Sequence, residues 1–178
     1  MEVYVRHCSS PIGVLRISGT EDGVTGVGFL EGWDEHRACL RKSSRVPSVL
    51  VECMEQLQEY FEGRRREFTA LRMLPIGTEF QRRVWKELCR LPWGEGITYR
   101  ELSNRLRSPL AAQAVGGAIA RNPLALIIPC HRVTPTRGRT GEYAWGSWRK
   151  KWLLRYEGIT VASESPGTSC RQCRFSPS

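Results

Sequence analysis

Apolar and polar residues alternate along the first thirty positions. Val3 and Val5 alternate with polar neighbours over residues 2 to 7, Ile12 and Val14 over 12 to 18, and Val24, Val27 and Phe29 mark a third stretch, with glycine and Ser-Pro turn signals between them. Period-two alternation broken by turns predicts a small antiparallel sheet. From Pro47 the period changes. Val51, Met54, Leu57 and Phe61 recur at helical spacing and Gly63 stands where a C-terminal cap belongs, predicting a helix of about 14 residues over one face of that sheet. Residues 64 to 77 hold an arginine run, Pro75 and Gly77. They suggest a boundary between an N-terminal domain, 1–75, and a C-terminal domain, 76–160. A Ser-, Pro- and Gly-rich tail over 161–178 is expected to be disordered.

The C-terminal part is patterned as helices with clear punctuation. Thr78 and Gln81 form a capping box ahead of the stripe Phe80, Val84, Leu88 and Leu91, which Pro92-Trp93-Gly94 stops. Thr98 with Glu101 opens a second, short helix carrying Leu102 and Leu106. Ser108-Pro109 reads as N-cap and first-turn proline of a third helix running through Arg121 to Asn122-Pro123. The third helix is rich in small residues, Ala111, Ala112, Ala114, Gly116, Gly117 and Ala118. The pair therefore predicts a helix-turn-helix whose second member approaches either DNA or another protein element closely. The whole reads as a two-domain α+β protein: a small antiparallel sheet with a helix, then a mostly helical, winged helix-turn-helix-like domain.

Charge tips the choice of partner. The 178-residue chain has a net charge of +9, but residues 1–75 hold 10 basic and 11 acidic side chains, and 76–178 hold 17 and 7. A basic excess confined to the helix-turn-helix half favours double-stranded DNA, since neutralised phosphates release counterions. The sequence offers no membrane-length apolar run and no signal-peptide layout. An intracellular protein is expected, cytoplasmic and nucleoid-associated, or nuclear in a eukaryote, and monomeric. Its seven cysteines are then free thiols. Cys53 and Cys89 fall in helical patterns and are expected as small core residues, as are the tryptophans of the last helix.

The chemistry concentrates at Pro129-Cys130-His131-Arg132-Val133, delivered by Leu124 to Ile128, an apolar run with the composition of a buried strand. A free thiol has a pKa of about 8.5, so a nucleophilic cysteine needs a base or a positive environment. His131 is the candidate base, through a turn that lets adjacent side chains meet or through a bridging water. An imidazole base needs its second nitrogen held. Glu157, closing the last amphipathic helix (Trp148, Trp152, Leu153, Tyr156) before Gly158, is the candidate carboxylate.

Together with Thr98-Tyr99, Gly116-Gly117, Asn122-Pro123, Gly141, Tyr143 and Lys150 to Gly158, this motif resembles the O6-alkylguanine-DNA alkyltransferase family over roughly 78–158. The resemblance implies a suicide repair reaction, in which a lesion base rotates out of the duplex and its alkyl group passes irreversibly to cysteine. It makes Cys130 the acceptor, His131 a water-relayed base, Glu157 its holder, Asn122 the brace of the turn, Tyr99 a proton donor to the leaving guanine, and Lys150 a member of the same network. It makes Val133, Tyr143, Ala144 and Trp145 the pocket wall. Thr98, Ala111, Ala112, Gln113, Gly116, Arg121 and Arg132 become the DNA-binding set, with the second helix in the minor groove. No metal or organic cofactor is implied. His7-Cys8 and His36-x-x-Cys39 offer four zinc ligands, but in no pattern the family would align, and Cys170-x-x-Cys173 lies in the tail.

Two positions depart from the family. Gln113 stands where members usually have an arginine that supports the orphaned partner base, which predicts weaker DNA binding or base flipping. Trp145 stands where many have glycine, which narrows tolerance for bulky adducts and favours methyl. Competing readings are a non-repairing lesion sensor, which generally lacks the cysteine, a sequence-specific regulator, which leaves the Cys-His segment unexplained, and a cysteine hydrolase, which would turn over repeatedly.

Overall fold

A computed structural model describes residues 2–31, 46–107, 112–135 and 139–160. Three strands, β1 (Tyr4–Ser10), β2 (Gly13–Thr20) and β3 (Gly23–Phe29), form an antiparallel meander. Ile12, Leu15, Ile17, Val24 and Val27 point into the interior. Helix α1 (Ser48–Phe61) lays Leu50, Cys53, Leu57 and Tyr60 on that face. Gly63, at φ +74, turns the chain out of the helix, a conformation glycine adopts without Cβ strain.

In the second half, α2 (Glu79–Leu88) and α3 (Tyr99–Arg105) each begin with a complete capping box, Thr78/Gln81 and Thr98/Glu101. Helix α4 (Ala112–Ala120) packs against both, and buried Trp85 of α2 donates its indole N–H to the Ala118 carbonyl at 2.9 Å. The expected start of α4, Ser108-Pro109 and Ala111, lies outside the described residues. The wing is small: β4 (Ile97–Thr98) and β5 (Val133–Thr134) form one two-residue parallel pair. Helix α5 (Ser147–Tyr156) is the last element among the described residues.

The outer edge of β3 is covered by chain from the rest of the molecule. Near its start, Val24 exchanges backbone hydrogen bonds with Arg72 and Leu74, the connector leading to α2. Further along, Val27 bonds Pro123 and Ala125, both at 2.8 Å, just ahead of Cys130. An otherwise open sheet edge thus holds the segment that leads into Cys130, and one continuous core runs from Ile12 to Leu153.

Several expectations change. Leu124 to Ile128 is not a strand: apart from one bridge between Leu124 and Val27 it is a run of tight turns, with Leu126 at φ +70. Ile127 bonds Ala125 and Cys130 bonds Ile128 across single residues, so the apolar run is buried because it coils. Cys53 is core, but Cys89 sits at the C-cap of α2 and is exposed. Trp148 is 52% exposed, with the Arg149 guanidinium stacked on its ring.

Candidate active site

Asn122, two residues past the end of α4, shapes the turn that carries the thiol. Its Oδ1 accepts from the Leu124 N–H at 3.0 Å, and its Nδ2 donates to the Ile128 carbonyl at 2.9 Å and to Cys130 Sγ at 3.0 Å. One 3% exposed amide therefore closes the turn and supports the sulfur. Residues 130 to 132 form a 3-10 turn, so Cys130 and His131 are not on an extended chain.

Behind the thiol lies a buried acid–base set. Glu157, the C-cap of α5, accepts from His131 Nε2 at 2.9 Å. It also accepts from Arg132 Nε at 2.7 Å and Arg132 Nη2 at 2.9 Å, and from the Tyr60 hydroxyl at 2.8 Å. Burial alone would raise the Glu157 carboxyl, but His131 and Arg132 outweigh it and hold it at about 2. A carboxylate ionised at neutral pH can only accept, so the hydrogen at Nε2 belongs to His131, and Nδ1 is left as the bare nitrogen. That Nδ1 is buried without a protein partner among the described residues. Burial holds His131 below its usual pKa, partly offset by Glu157, so the ring is neutral.

The thiol itself is pushed up by burial, while Asn122, Lys150 and Tyr143 favour its ionised form. Lys150, 1% exposed, donates to the Glu142 carbonyl at 3.1 Å. Burial lowers its pKa to about 8, and Cys130 and Glu142 pull the other way. The Tyr143 hydroxyl is buried beside the sulfur without a hydrogen bond of ordinary geometry, and burial followed by the Cys130 charge pushes it well up. The half-buried Tyr99 hydroxyl is raised by burial and by the same sulfur. The site thus pairs a protonated, buried thiol with a neutral imidazole whose free nitrogen can take a proton.

The remaining sequence candidates fall into three groups. Trp145 packs edge-on against Tyr143 and Phe29, ring centres 5.4 and 6.4 Å away; Ala144 is exposed and Val133 fully buried in β5. On α4, Ala112 and Gln113 are exposed and Gly116 faces Tyr99, with exposed Arg121 just past the helix end. Gln113 and Arg121 line an open groove of about 400 Å³ with Thr78 and Phe80. Thr98 is engaged in its capping box, and Ala111 lies outside the described residues. Arg132, expected at the DNA surface, is instead 5% exposed and committed to Glu157 and the Leu91 carbonyl, because a buried carboxylate needs a buried cation. Tyr60 went unnoticed in the sequence. Its spacing three residues after Leu57 on α1 could have flagged it as buried, but its reach to Glu157, 97 positions away, has no local signature. Among the described residues no group of three or more His, Cys, Asp or Glu could hold a metal; His36 and Cys39 lie outside them. No described helix is long and apolar enough to cross a membrane.

Fold and site define a class: a helix-turn-helix protein that carries a buried, acid–base-supported cysteine just past its second helix. Residues 79–159 match the 6-O-methylguanine DNA methyltransferase DNA-binding domain and residues 3–75 the ribonuclease-like domain of the same proteins. The methylated-DNA--protein-cysteine methyltransferase of Methanosarcina barkeri is 38% identical, covering 87% of this chain and 97% of its own. That of Mycobacterium tuberculosis is 37% identical, covering 87% and 92%. The crystal structure of the M. tuberculosis O6-methylguanine methyltransferase superposes with a TM-score of 0.76 at 36% identity, covering 92% of this chain and 97% of that one. A structure of the M. tuberculosis protein in complex with DNA gives 0.75 at 35% identity, covering 89% and 95%. The chain belongs to the 6-O-methylguanine DNA methyltransferase family.

Proposed function

We propose that this protein repairs O6-alkylguanine in double-stranded DNA by moving the alkyl group, chiefly methyl, irreversibly to its own Cys130 after the base is rotated out of the duplex. The observation that carries the reading is the hydrogen-bonded chain from Glu157 to His131, whose bare Nδ1 belongs to the residue next to Cys130. A water between them takes the thiol proton to His131, and Glu157 stabilises the imidazolium that forms. The thiolate attacks the alkyl carbon, the S–C bond forms as the C–O6 bond breaks, and the electron pair leaves on guanine. Tyr99 supplies a proton toward that leaving group, and Lys150 stabilises the thiolate across a buried gap. The thioether cannot be hydrolysed by any group present, so each molecule acts once. Asn122 keeps the sulfur in register, while Tyr143, Ala144 and Trp145 with Val133 form the wall against which the flipped base rests.

Helix α4 supplies the DNA surface through Ala112, Gln113, Gly116 and Arg121, with Thr98 at its approach. Small exposed side chains suit a narrow groove read without sequence preference. No metal or organic cofactor enters. Incubation with a duplex carrying one O6-methylguanine, followed by peptide mass spectrometry, should find one methyl per protein on Cys130, no second turnover, and no transfer in Cys130→Ala. Tight lesion binding with Cys130 unmodified overturns the reading in favour of a non-repairing sensor.

A further inference from the structure

Glu157 is held by its own helix through the backbone alone, its N–H bonding the Leu153 carbonyl at 2.9 Å. It stands one residue past α5 as its C-cap, with Gly158 following at φ +74, and the hydrogen-bond partners of its carboxylate come from other elements. Arg132 grips both oxygens from the His131 side and is itself held by the Leu91 carbonyl at 2.6 Å. The remaining donor comes from the other half of the chain: Tyr60, in the last turn of α1, reaches Oε1 at 2.8 Å. That oxygen is the one His131 uses.

Tyr60 is itself immobilised. Its ring is enclosed by Phe61, Phe68, Trp93 and Tyr156, with centres 5.1 to 5.6 Å away, and its carbonyl accepts from the Tyr156 hydroxyl at 2.6 Å. Phenylalanine would fill this aromatic cage equally well. A buried hydroxyl costs free energy unless it has a partner, and here that partner is the carboxylate orienting the general base. We propose that Tyr60 is a positioning residue for alkyl transfer: its hydroxyl, contributed by the N-terminal half, fixes the Glu157 oxygen that holds His131. This rests on the assignment of Cys130 as acceptor and His131 as base.

The groups facing His131 are Glu157, Arg132 and Lys150, with Cys130 adjacent and Tyr60 acting through Glu157. Removing the Tyr60 hydroxyl leaves the carboxylate less neutralised, so the imidazolium is favoured and His131 protonates at higher pH. The experiment is single-turnover methyl transfer from an O6-methylguanine duplex across pH 5 to 9, comparing wild type, Tyr60→Phe and Tyr156→Phe. Tyr156→Phe removes a neighbouring hydroxyl that does not touch Glu157 and controls for structural loss. Tyr60→Phe should transfer about tenfold more slowly at neutral pH, as for the loss of a partner behind an orienting carboxylate. The acid limb of its rate profile should move upward by about half a unit, with DNA affinity unchanged. The Tyr156→Phe limb should stay in place. A Tyr60→Phe profile superimposable on wild type overturns the proposal, as does an equal slowing of both variants with no movement of the limb. A wild type that leaves Cys130 unmethylated overturns the underlying assignment instead. One readout needs no variant: the wild-type proton NMR spectrum should show a slowly exchanging, downfield Tyr60 hydroxyl proton, and its absence overturns the hydrogen bond.

Discussion

Arg132 illustrates how much one side chain settles in this site. Two of its nitrogens hold Glu157 and a third holds the Leu91 carbonyl, all in the interior. Methionine there would keep the volume but leave the carboxylate buried with only His131 and Tyr60. Breaking one side of a buried ion pair costs about 3 kcal/mol or more, so Arg132→Met should lower stability by that amount in urea unfolding while leaving DNA affinity nearly intact. A large loss of DNA binding with stability unchanged would return Arg132 to the DNA surface. Trp145 is fixed from outside its own loop. A Cβ added at Gly28 would lie 3.1 Å from its Nε1, and Arg149, whose guanidinium lies over Phe29, donates to the Trp145 carbonyl at 2.8 Å. The N-terminal sheet therefore presses on the proposed pocket wall.

Helix α4 is the element on which DNA affinity should turn. Gln113 is exposed beside Ala112 and Ala114 at the start of the helix, and arginine there would add a cation and a planar stacking surface. Gln113→Arg should tighten binding to a lesion duplex severalfold in low-salt titrations, and an unchanged or weaker affinity would mean that the glutamine is compensated elsewhere. Local signals reported these elements well. Both capping boxes, the existence of α1 and its Gly63 stop depend on residues a few positions apart and match the structure. The face of α1 that is buried, however, runs through Leu50, Cys53, Leu57 and Tyr60 rather than Val51, Met54, Leu57 and Phe61, because which side of a helix meets the sheet is set by the sheet. The run before Cys130 defeated the same logic. Burial makes Leu124 to Ile128 apolar whether it is extended or coiled, and what coils it, the three contacts of Asn122 and the bond to Val27, is set by tertiary structure. Glu157 was legible from its place at a helix end, and Cys130 and His131 from their adjacency. Arg132 and Tyr60 were not, because their partners lie far along the chain.

At the scale of the molecule, the buried carboxylate links the site to acid stability. The folded-state pKa of Glu157, about 2, lies below its ordinary value of 4.5. Its stabilising contribution is therefore complete above pH 4.5 and disappears as pH falls from there through 2. The shift corresponds to about 3 kcal/mol. Denaturant midpoints should fall steeply across that window, and Glu157→Gln should flatten the fall; an equally steep decline in the variant would place the acid sensitivity in other carboxylates.

The halves meet at the covered edge of β3, at the Tyr60–Glu157 hydrogen bond, and at Arg149, which bonds the Ile12 carbonyl at 2.8 Å and pairs with Glu31. Although each half matches a family domain of its own, they are not interchangeable parts. A chimera that borrows its first half from a relative inherits a working site only if the borrowed sheet presents a free β3 edge to Pro123 and Ala125. It must also bring a hydroxyl at position 60 and leave room for Trp145 at position 28. Whoever recombines these proteins has to cut them along that joint and not along the connector between the two sequence matches.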